Sequence, residues 1–227
     1  MLPTMTIGTL QISTYWLMFV VGGCSMGVLM VRRRVRYSLS VSKALLFALL
    51  LAVCGLAGAK LLCFLENGFV WGGVSFFGSV FLIPPLMGLL GRLFGLRPGS
   101  GLDACAPCVA IMIAFMRFGC FLNGCCGGWE MALGGFRFHW PTQAIESIGD
   151  FCILGLLLQM EERDAHPGKR YAVFLVGYGV LRFFVEFLRD TPKEWLGLGH
   201  GQWFAFLGCL IGAAVLFRET KHVKGRS

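Results

Sequence analysis

Among the ionisable side chains that interrupt long apolar stretches of this 227-residue sequence, five are placed where they could act together. They are Arg117, Glu146, Asp150, Arg182 and Glu186. A charge in hydrocarbon is costly unless it pairs or faces water, so such groups indicate either a functional site or a structural ion-pair network. Arg182 and Glu186 are four residues apart, as are Glu146 and Asp150, so each pair lies along one helix face. Tyr178 extends the face of Arg182, because it precedes that residue by four positions.

The chemistry that these residues favour is the recognition of an anionic group. A guanidinium is permanently charged and can grip phosphate oxygens in a bidentate manner, so Arg117 and Arg182 suit a phospholipid headgroup. A nearby carboxylate such as Glu146 or Glu186 can orient an arginine or accept a proton. These residue types alone name no reaction.

Composition places the residues in a membrane protein. Hydrophobic residues make up 56% of the chain and charged residues only 14%, and the mean hydropathy is +0.73. These values exclude a soluble globule and an intrinsically disordered chain. The 20 Lys and Arg outnumber the 12 Asp and Glu. In a membrane protein such an excess marks cytoplasmic loops rather than nucleic-acid binding.

The helices that must position these residues follow from apolar length, since a helix needs roughly 20 residues to cross a bilayer. Seven spans are predicted, near 12–31, 44–64, 74–91, 103–122, 143–160, 171–188 and 201–217. The first apolar run has no cleavage signal, so we expect it to be retained. With no repeat or boundary in view, residues 1–227 form one all-α, polytopic domain.

The distribution of Lys and Arg predicts the orientation. Fourteen of them fall in the connections after spans one, three and five and in the tail. The remaining connections contain three, Arg137, Arg189 and Lys193. By the positive-inside rule, the N-terminus is outside and the C-terminus is cytoplasmic. The five ionisable residues then fall in the outer half of the bilayer. We therefore expect them to line a polar cavity that opens outward.

Several motifs resemble those of the prolipoprotein diacylglyceryl transferase family. Residues 117–128 (Arg117-Phe-Gly119-Cys120-Phe-Leu-Asn123-Gly124-Cys125-Cys126-Gly-Gly) resemble the signature R-x-G-N-F-x-N-G-E. Four further stretches match family motifs in order, namely residues 75–78, 102–107, 141–150 and 177–189. Gly201-Gln202 is similar to the M-G-Q that opens the last span. The resemblance covers most of the chain.

The resemblance implies a bacterial inner-membrane enzyme of lipoprotein biosynthesis with seven helices and an outside N-terminus. Such enzymes move the diacylglyceryl group of phosphatidylglycerol onto the lipobox cysteine of a prolipoprotein, and glycerol phosphate is released. The partners would be phosphatidylglycerol or a similar anionic phospholipid and a prolipoprotein signal peptide, with no nucleic acid, cofactor or metal. The residues that match family positions fall into a catalytic group, Arg117, Tyr178, Arg182 and Glu186, and a substrate-binding group, Gly119, Asn123, Gly124, Gln143, Glu146 and Gln202.

Three positions depart from the family pattern. Cys120 replaces an asparagine and Cys125 a glutamate of the signature, and Phe77 replaces the histidine of an S-F-H-G motif. The histidine and the glutamate are the obvious groups to deprotonate an incoming thiol. Either another group is the base or the acceptor has changed. Candidate replacements are Cys125 and the ionisable side chains Glu146, Glu186, Asp150 and His139.

The ten cysteines form two groups and five isolated residues. Cys105 and Cys108 form a C-x-x-C at the inner end of the fourth span, whereas Cys120, Cys125 and Cys126 lie at its outer end. Over a continuous helix, the two ends are separated by roughly 18 Å at 1.5 Å per residue, so they cannot share one metal ion. The outer three could form a disulfide, an exposed thiolate or the packing of a tight re-entrant turn.

The sequence leaves two classes of function. One is diacylglyceryl transfer to a lipobox cysteine. The other is a divergent activity on another lipid or acceptor, or thiol redox work, with Cys120, Cys125 and Cys126 in place of the usual polar residues. Binding of an anionic lipid alone would need only the arginines.

Overall fold

The computed structural model describes residues 4–7, 10–66, 68–70, 73, 75–133, 136–163, 167–193 and 196–224. Its helices are α1 (Thr14–Arg33), α2 (Val41–Glu66), α3 (Phe76–Phe94), α4 (Pro98–Asn123), α5 (Thr142–Arg163), α6 (Lys169–Glu186) and α7 (His200–Lys224). A 3-10 helix, Arg34–Tyr37, follows α1 directly. The all-helical class is confirmed, and each predicted span coincides with one helix, with ends that differ by at most seven residues.

Two short antiparallel hairpins accompany the helices. The strand β1 (Thr4–Ile7) pairs with β2 (Leu10–Ser13), and β3 (Glu130–Leu133) pairs with β4 (Phe136–His139). The sequence analysis predicted neither hairpin, because four-residue strands leave too short a hydrophobic pattern to be distinguished. The second hairpin connects α4 to α5 and lies beside the cysteine-containing turn.

Five of the helical segments in the described part of the chain are long and apolar enough to cross a membrane. They are Thr14–Tyr37, Val41–Glu66, Pro98–Asn123, Thr142–Glu161 and His200–Arg218. A shorter apolar segment, Phe76–Met87, lies in α3. The helix α6 carries charged residues at both ends and Arg182 within it, which lowers its hydropathy. These properties are those of a polytopic membrane protein, whereas crossing by α3 and α6 stays a prediction.

The helix α4 forms the centre of the bundle and contacts α1, α3, α5 and α6. Its buried face consists largely of small side chains, among them Ala104, Ala106, Ala110 and Ala114, each with no exposed surface. Small residues let helix backbones approach closely, which is the main source of packing energy between helices in lipid. The central position of α4 brings its last turn, with Arg117, against the ends of α5 and α6.

A close contact between glycines joins α2 to α3. A Cβ atom on Gly78 would collide with the carbonyl oxygen of Gly58, so only glycine allows this approach. The hydroxyl of Ser79 donates a hydrogen bond to the carbonyl of Gly55 (2.5 Å) in the same interface. The contact fixes the start of α3 and places Phe77 against Tyr178 of α6, with 5.7 Å between the ring centroids.

A buried ion cluster ties together the helix ends at the end of the bundle opposite to Arg117. Arg33 donates to both carboxylate oxygens of Glu161 (2.6 and 3.0 Å), and Arg170 donates to the same side chain (3.1 Å). Asp103 accepts hydrogen bonds from the backbone N–H groups of Gly168 and Tyr171. Arg33 and Arg170 belong to the predicted cytoplasmic basic excess, so part of that excess also holds α1, α4, α5 and α6 together.

The predicted orientation can be tested with reporters. A reporter fused after Ser227 should be active in the cytoplasm, and one inserted at Gly128 should be active outside. The reason is that the basic residues are concentrated in the tail and in the connections after spans one, three and five, whereas Gly128 lies in the connection after span four. Alkaline phosphatase and green fluorescent protein fusions give opposite readouts on the two sides of the membrane. An external C-terminus would contradict the seven-span prediction.

Candidate active site

A polar cavity of about 750 Å³ lies where the ends of α2, α4 and α6 meet the starts of α1, α3 and α7. Its polar lining includes Glu66, Arg117, Cys120, Asn123, Cys125, Cys126, Tyr178, Arg182, Glu186, Arg189 and His200. The structure thus brings together the four residues predicted to be catalytic, together with Asn123 and Cys125. The five ionisable residues identified first converge at this end of the bundle.

Glu146 is the common partner of three arginines behind the cavity wall. Its carboxylate lies 2.5 Å from a terminal nitrogen of Arg182, 2.9 Å from Nε of Arg117 and 3.2 Å from a terminal nitrogen of Arg189. Only 2% of Glu146 is exposed. Each guanidinium has more donors than these contacts use, so donors remain for a ligand in the cavity.

The α6 side of the cavity contains a second carboxylate. Glu186 lies 2.7 Å from Arg182 one turn away and accepts a hydrogen bond from the hydroxyl of Thr191 (3.0 Å). Arg182 is therefore held between Glu146 and Glu186. The buried hydroxyl of Tyr178 lines the cavity and has no hydrogen-bond partner within the described residues. A buried polar group of this kind is available to a bound molecule.

Arg117 is fixed from two directions. Its guanidinium carbon lies 4.8 Å from the centroid of the Phe76 ring, in a cation–π contact, while Nε faces Glu146. Its neighbour Asp150, one turn beyond Glu146 on α5, has no exposed surface, and neither of its carboxylate oxygens has a hydrogen-bond partner in the part of the chain described.

Four residues predicted to bind substrate have other contacts. Gly119 packs against α1, where an added Cβ would lie 2.9 Å from Cβ of Met18. Gly124 ends α4 in a left-handed conformation. Gln143 donates to the carbonyl of Cys125 (2.5 Å), and Gln202 accepts from the backbone N–H of Gly199 (3.0 Å). These four residues, like Glu146, do not line the cavity. They lie behind the lining residues and help to hold them in place.

The cysteine-containing turn brings three thiols together. The sulfurs of Cys120, Cys125 and Cys126 all lie within 4.8 Å of one another. Two left-handed residues, Gly124 (φ 77°) and Cys126 (φ 62°), fold the chain back over the last turn of α4. The carbonyl of Cys126 accepts a hydrogen bond from the hydroxyl of Thr142 (3.1 Å), so the start of α5 anchors the turn.

The surroundings of Cys126 favour the thiolate form of that side chain. A hydrogen bond from the Cys120 thiol lowers the pKa of the Cys126 thiol, burial opposes this shift, and the guanidiniums of Arg117 and Arg189 lower the pKa further. The other cysteine pair, Cys105 and Cys108, is fully buried near the start of α4. Since α4 is continuous, the predicted separation of the two groups is confirmed and no single metal ion can bind both.

The cavity contains residues that the sequence did not indicate as part of the site, among them Arg189, His200 and Glu66. Arg189 was assigned to an external connection, although it is 9% exposed and faces Glu146. Its place in the motif of residues 177–189 was the available signal. His200 also lines the cavity and had no motif to indicate it. In contrast, His139 is exposed on β4, with Nδ1 3.1 Å from the carbonyl oxygen of Gly128, and does not line the cavity.

An apolar cleft adjoins the polar cavity. It lies between α1, α2, α3 and α4, and its lining includes Phe19, Leu51, Ile83 and Met116. Phe76 lines both spaces. The cleft has about 50 Å³ of free space, so it forms an apolar wall beside the cavity rather than a chamber for a whole lipid chain.

The sequence profile of the family described as prolipoprotein diacylglyceryl transferase matches residues 3–218. Three similar proteins are named phosphatidylglycerol–prolipoprotein diacylglyceryl transferase. The one from Methylococcus capsulatus is 31% identical, with 93% of this chain and 90% of the relative aligned. That from Bordetella avium is 32% identical over 71% and 67% of the two chains. That from Clostridium perfringens, numbered 2, is 34% identical over 55% of this chain, which spans about half (53%) of that relative.

Proposed function

This chain belongs to the prolipoprotein diacylglyceryl transferase family, and we propose that it transfers the diacylglyceryl group of phosphatidylglycerol to the lipobox cysteine of a prolipoprotein. The reaction would take place at the outer leaflet of a bacterial plasma membrane. The observation that carries the proposal is the cavity lined by Arg117, Arg182 and Arg189 beside an apolar cleft. The names of the relatives support the same substrates.

The arginines would bind the phosphate of phosphatidylglycerol. The acceptor thiolate attacks the glycerol carbon that carries the phosphate oxygen, so a C–S bond forms and the C–O bond breaks. The electron pair of the broken bond stays on the oxygen of the departing glycerol phosphate. Arg117 and Arg182 would stabilise the charge that grows on this leaving group, since each is pre-oriented by Glu146.

The remaining features of the site fit an amphiphilic donor. The apolar cleft would contact the first carbons of an acyl chain, while Phe76, at the junction of cleft and cavity, would lie near the glycerol backbone. The hydroxyl of Tyr178 and the amide of Asn123 offer hydrogen bonds to the headgroup. Glu186 would keep Arg182 in position, since its carboxylate lies 2.7 Å from that guanidinium.

The direct test is transfer by the purified protein in lipid nanodiscs. With phosphatidylglycerol labelled in an acyl chain and a synthetic lipobox peptide, we expect the label to appear on the peptide and glycerol phosphate to be released in equal amount. A peptide with serine in place of the lipobox cysteine should remain unlabelled, because a hydroxyl is a far weaker nucleophile at neutral pH.

A cellular assay complements the purified system. Expression in cells depleted of their own transferase should restore growth and the mobility shift of mature lipoproteins. Failure of both assays, with well-folded protein, would refute the proposal. Label transfer to a different lipid, or disulfide exchange on a thiol probe, would instead support the divergent activity that the unusual cysteines left open.

A further inference from the structure

The three thiols of the cysteine-containing turn have the arrangement of a metal site. In a tetrahedral zinc site with Zn–S bonds of about 2.3 Å, neighbouring sulfurs are about 3.8 Å apart. The sulfurs of Cys120, Cys125 and Cys126 lie within 4.8 Å of one another, so shifts of about 1 Å would bring them to zinc-binding distances. Thiolates are soft ligands, which favours zinc over magnesium or calcium.

The turn is held in place by side chains of α5 and by backbone hydrogen bonds of its own. Gln143 and Thr142, at the start of α5, hydrogen-bond the carbonyls of Cys125 and Cys126, respectively. The backbone N–H groups of Gly124 and Cys125 both donate to the carbonyl of Cys120. Such outer contacts fix the orientation of ligands before a metal binds. Gln143, predicted to bind substrate, would thus act on the site through the position of Cys125.

The location of the thiols connects them to the proposed reaction. All three line the same cavity as Arg117 and Arg182, where the headgroup phosphate would lie. Cys125 and Phe77 occupy the positions at which the family signature motifs have a glutamate and a histidine. In this chain, Phe77 instead packs against the rings of Tyr178 and Phe204. The two bases that the family motifs would supply are therefore absent from these positions, although Glu66, Glu186 and His200 also line the cavity.

We propose that Cys120, Cys125 and Cys126 bind a Zn²⁺ ion whose open fourth position takes the sulfur of the acceptor cysteine and activates it for transfer. This inference rests on the proposed function. On binding, the acceptor thiol releases its proton to cavity water and stays on zinc as a thiolate. The thiolate then forms the C–S bond with the glycerol carbon, while the C–O bond to phosphate breaks and its electrons leave with glycerol phosphate. The thioether product binds zinc weakly and departs.

The electrostatics of the cavity suit such a centre. One Zn²⁺ ion and three thiolates carry one net negative charge, and the acceptor thiolate adds a second. The guanidiniums of Arg117 and Arg189, which line the same cavity, would offset this negative charge. Three protein ligands with one open position is the arrangement of catalytic rather than structural zinc sites. A trigonal copper(I) ion, in contrast, would leave no position for the acceptor.

Metal content is the first measurement. We expect about one zinc ion per chain in protein purified without chelator, by the usual stoichiometry of a single zinc site. Cobalt substitution should give the charge-transfer absorption of thiolate–cobalt bonds. A triple variant that combines Cys120→Ser, Cys125→Ser and Cys126→Ser should abolish both signals. The matched control, Cys24→Ser with Cys152→Ser, changes exposed cysteines of α1 and α5 and should retain both.

Activity of the unaltered protein is the second measurement and needs no variant to fold. A zinc chelator should lower label transfer to the lipobox peptide by about 100-fold, because removal of a group that assists proton transfer usually lowers a rate by at least this factor. Added Zn²⁺ should restore the activity. The non-chelating isomer of the chelator is the control. A second triple variant combines Phe77→His, Cys120→Asn and Cys125→Glu and so reinstates the family residues. Its transfer activity should no longer respond to the chelator.

The two proposals fail in different ways. Full transfer by zinc-free protein would refute the zinc site as part of catalysis and leave the transferase function standing. Zinc held by the three thiols without any transfer to peptide would refute the function and leave the metal site. A disulfide between two of the thiols in active protein, or a copper(I) ion in place of zinc, would overturn the inference.

Discussion

Replacing Arg117 or Arg182 with lysine should reduce transfer by about 100-fold or more, the usual loss when one pre-oriented donor to a developing charge is removed. Lysine keeps the charge but lacks the planar fork, so it cannot face Glu146 and the phosphate of phosphatidylglycerol at the same time. The measurement is kcat/KM for labelled phosphatidylglycerol in nanodiscs with a saturating lipobox peptide.

A matched control separates this effect from a general loss of arginine. The side chain of Arg137 is 80% exposed on β4 and lies 3.7 Å from Glu130, so Arg137→Lys should leave transfer unchanged. Size-exclusion profiles in detergent must show that each variant folds, because an unpaired Glu186 could destabilise Arg182→Lys. Full activity of a folded Arg182→Lys would make Arg182 a structural counter-ion of Glu186 rather than a ligand of the phosphate.

Much of the fold could be predicted because lipid imposes simple rules. Each crossing needs an apolar run of nearly fixed length, and buried charges in such runs are rare enough to identify. Even the fifth span, which Glu146 and Asp150 interrupt, forms the continuous helix α5. The spacing of four between Arg182 and Glu186 correctly predicted that they share one face of α6, where they form an ion pair at 2.7 Å.

Contacts between helices distant in sequence could not be predicted in the same way. No local pattern shows that Glu146 of α5 faces arginines from α4, α6 and the segment after α6, since this depends on how the helices pack around α4. The same holds for Glu161, which binds Arg33 more than a hundred residues away. The sequence placed Cys120, Cys125 and Cys126 near one another, but the convergence of their sulfurs depends on the left-handed backbone at Cys126.

Removing the carboxylate of Glu146 should be among the most damaging single changes in this chain. Glu146→Ala leaves Arg117, Arg182 and Arg189 facing one another without their shared partner, and breaking a buried ion pair typically costs about 3–5 kcal/mol. We expect a marked fall in the thermal unfolding temperature in detergent. Glu130→Gln, which removes a half-exposed carboxylate from β3, should leave this temperature unchanged.

The kinetics of a milder variant distinguish a positioning role of Glu146 from direct substrate binding. In Glu146→Gln the arginines keep a hydrogen-bond acceptor but lose their fixed orientation. If Glu146 acts through them, kcat should fall with little change in KM for phosphatidylglycerol, because the lost interaction matters most when charge grows on the leaving group. Adding Arg189→Gln should recover part of the stability by removing one unpaired charge. A rise in KM at constant kcat would show instead that Glu146 contacts the lipid, as the sequence analysis predicted.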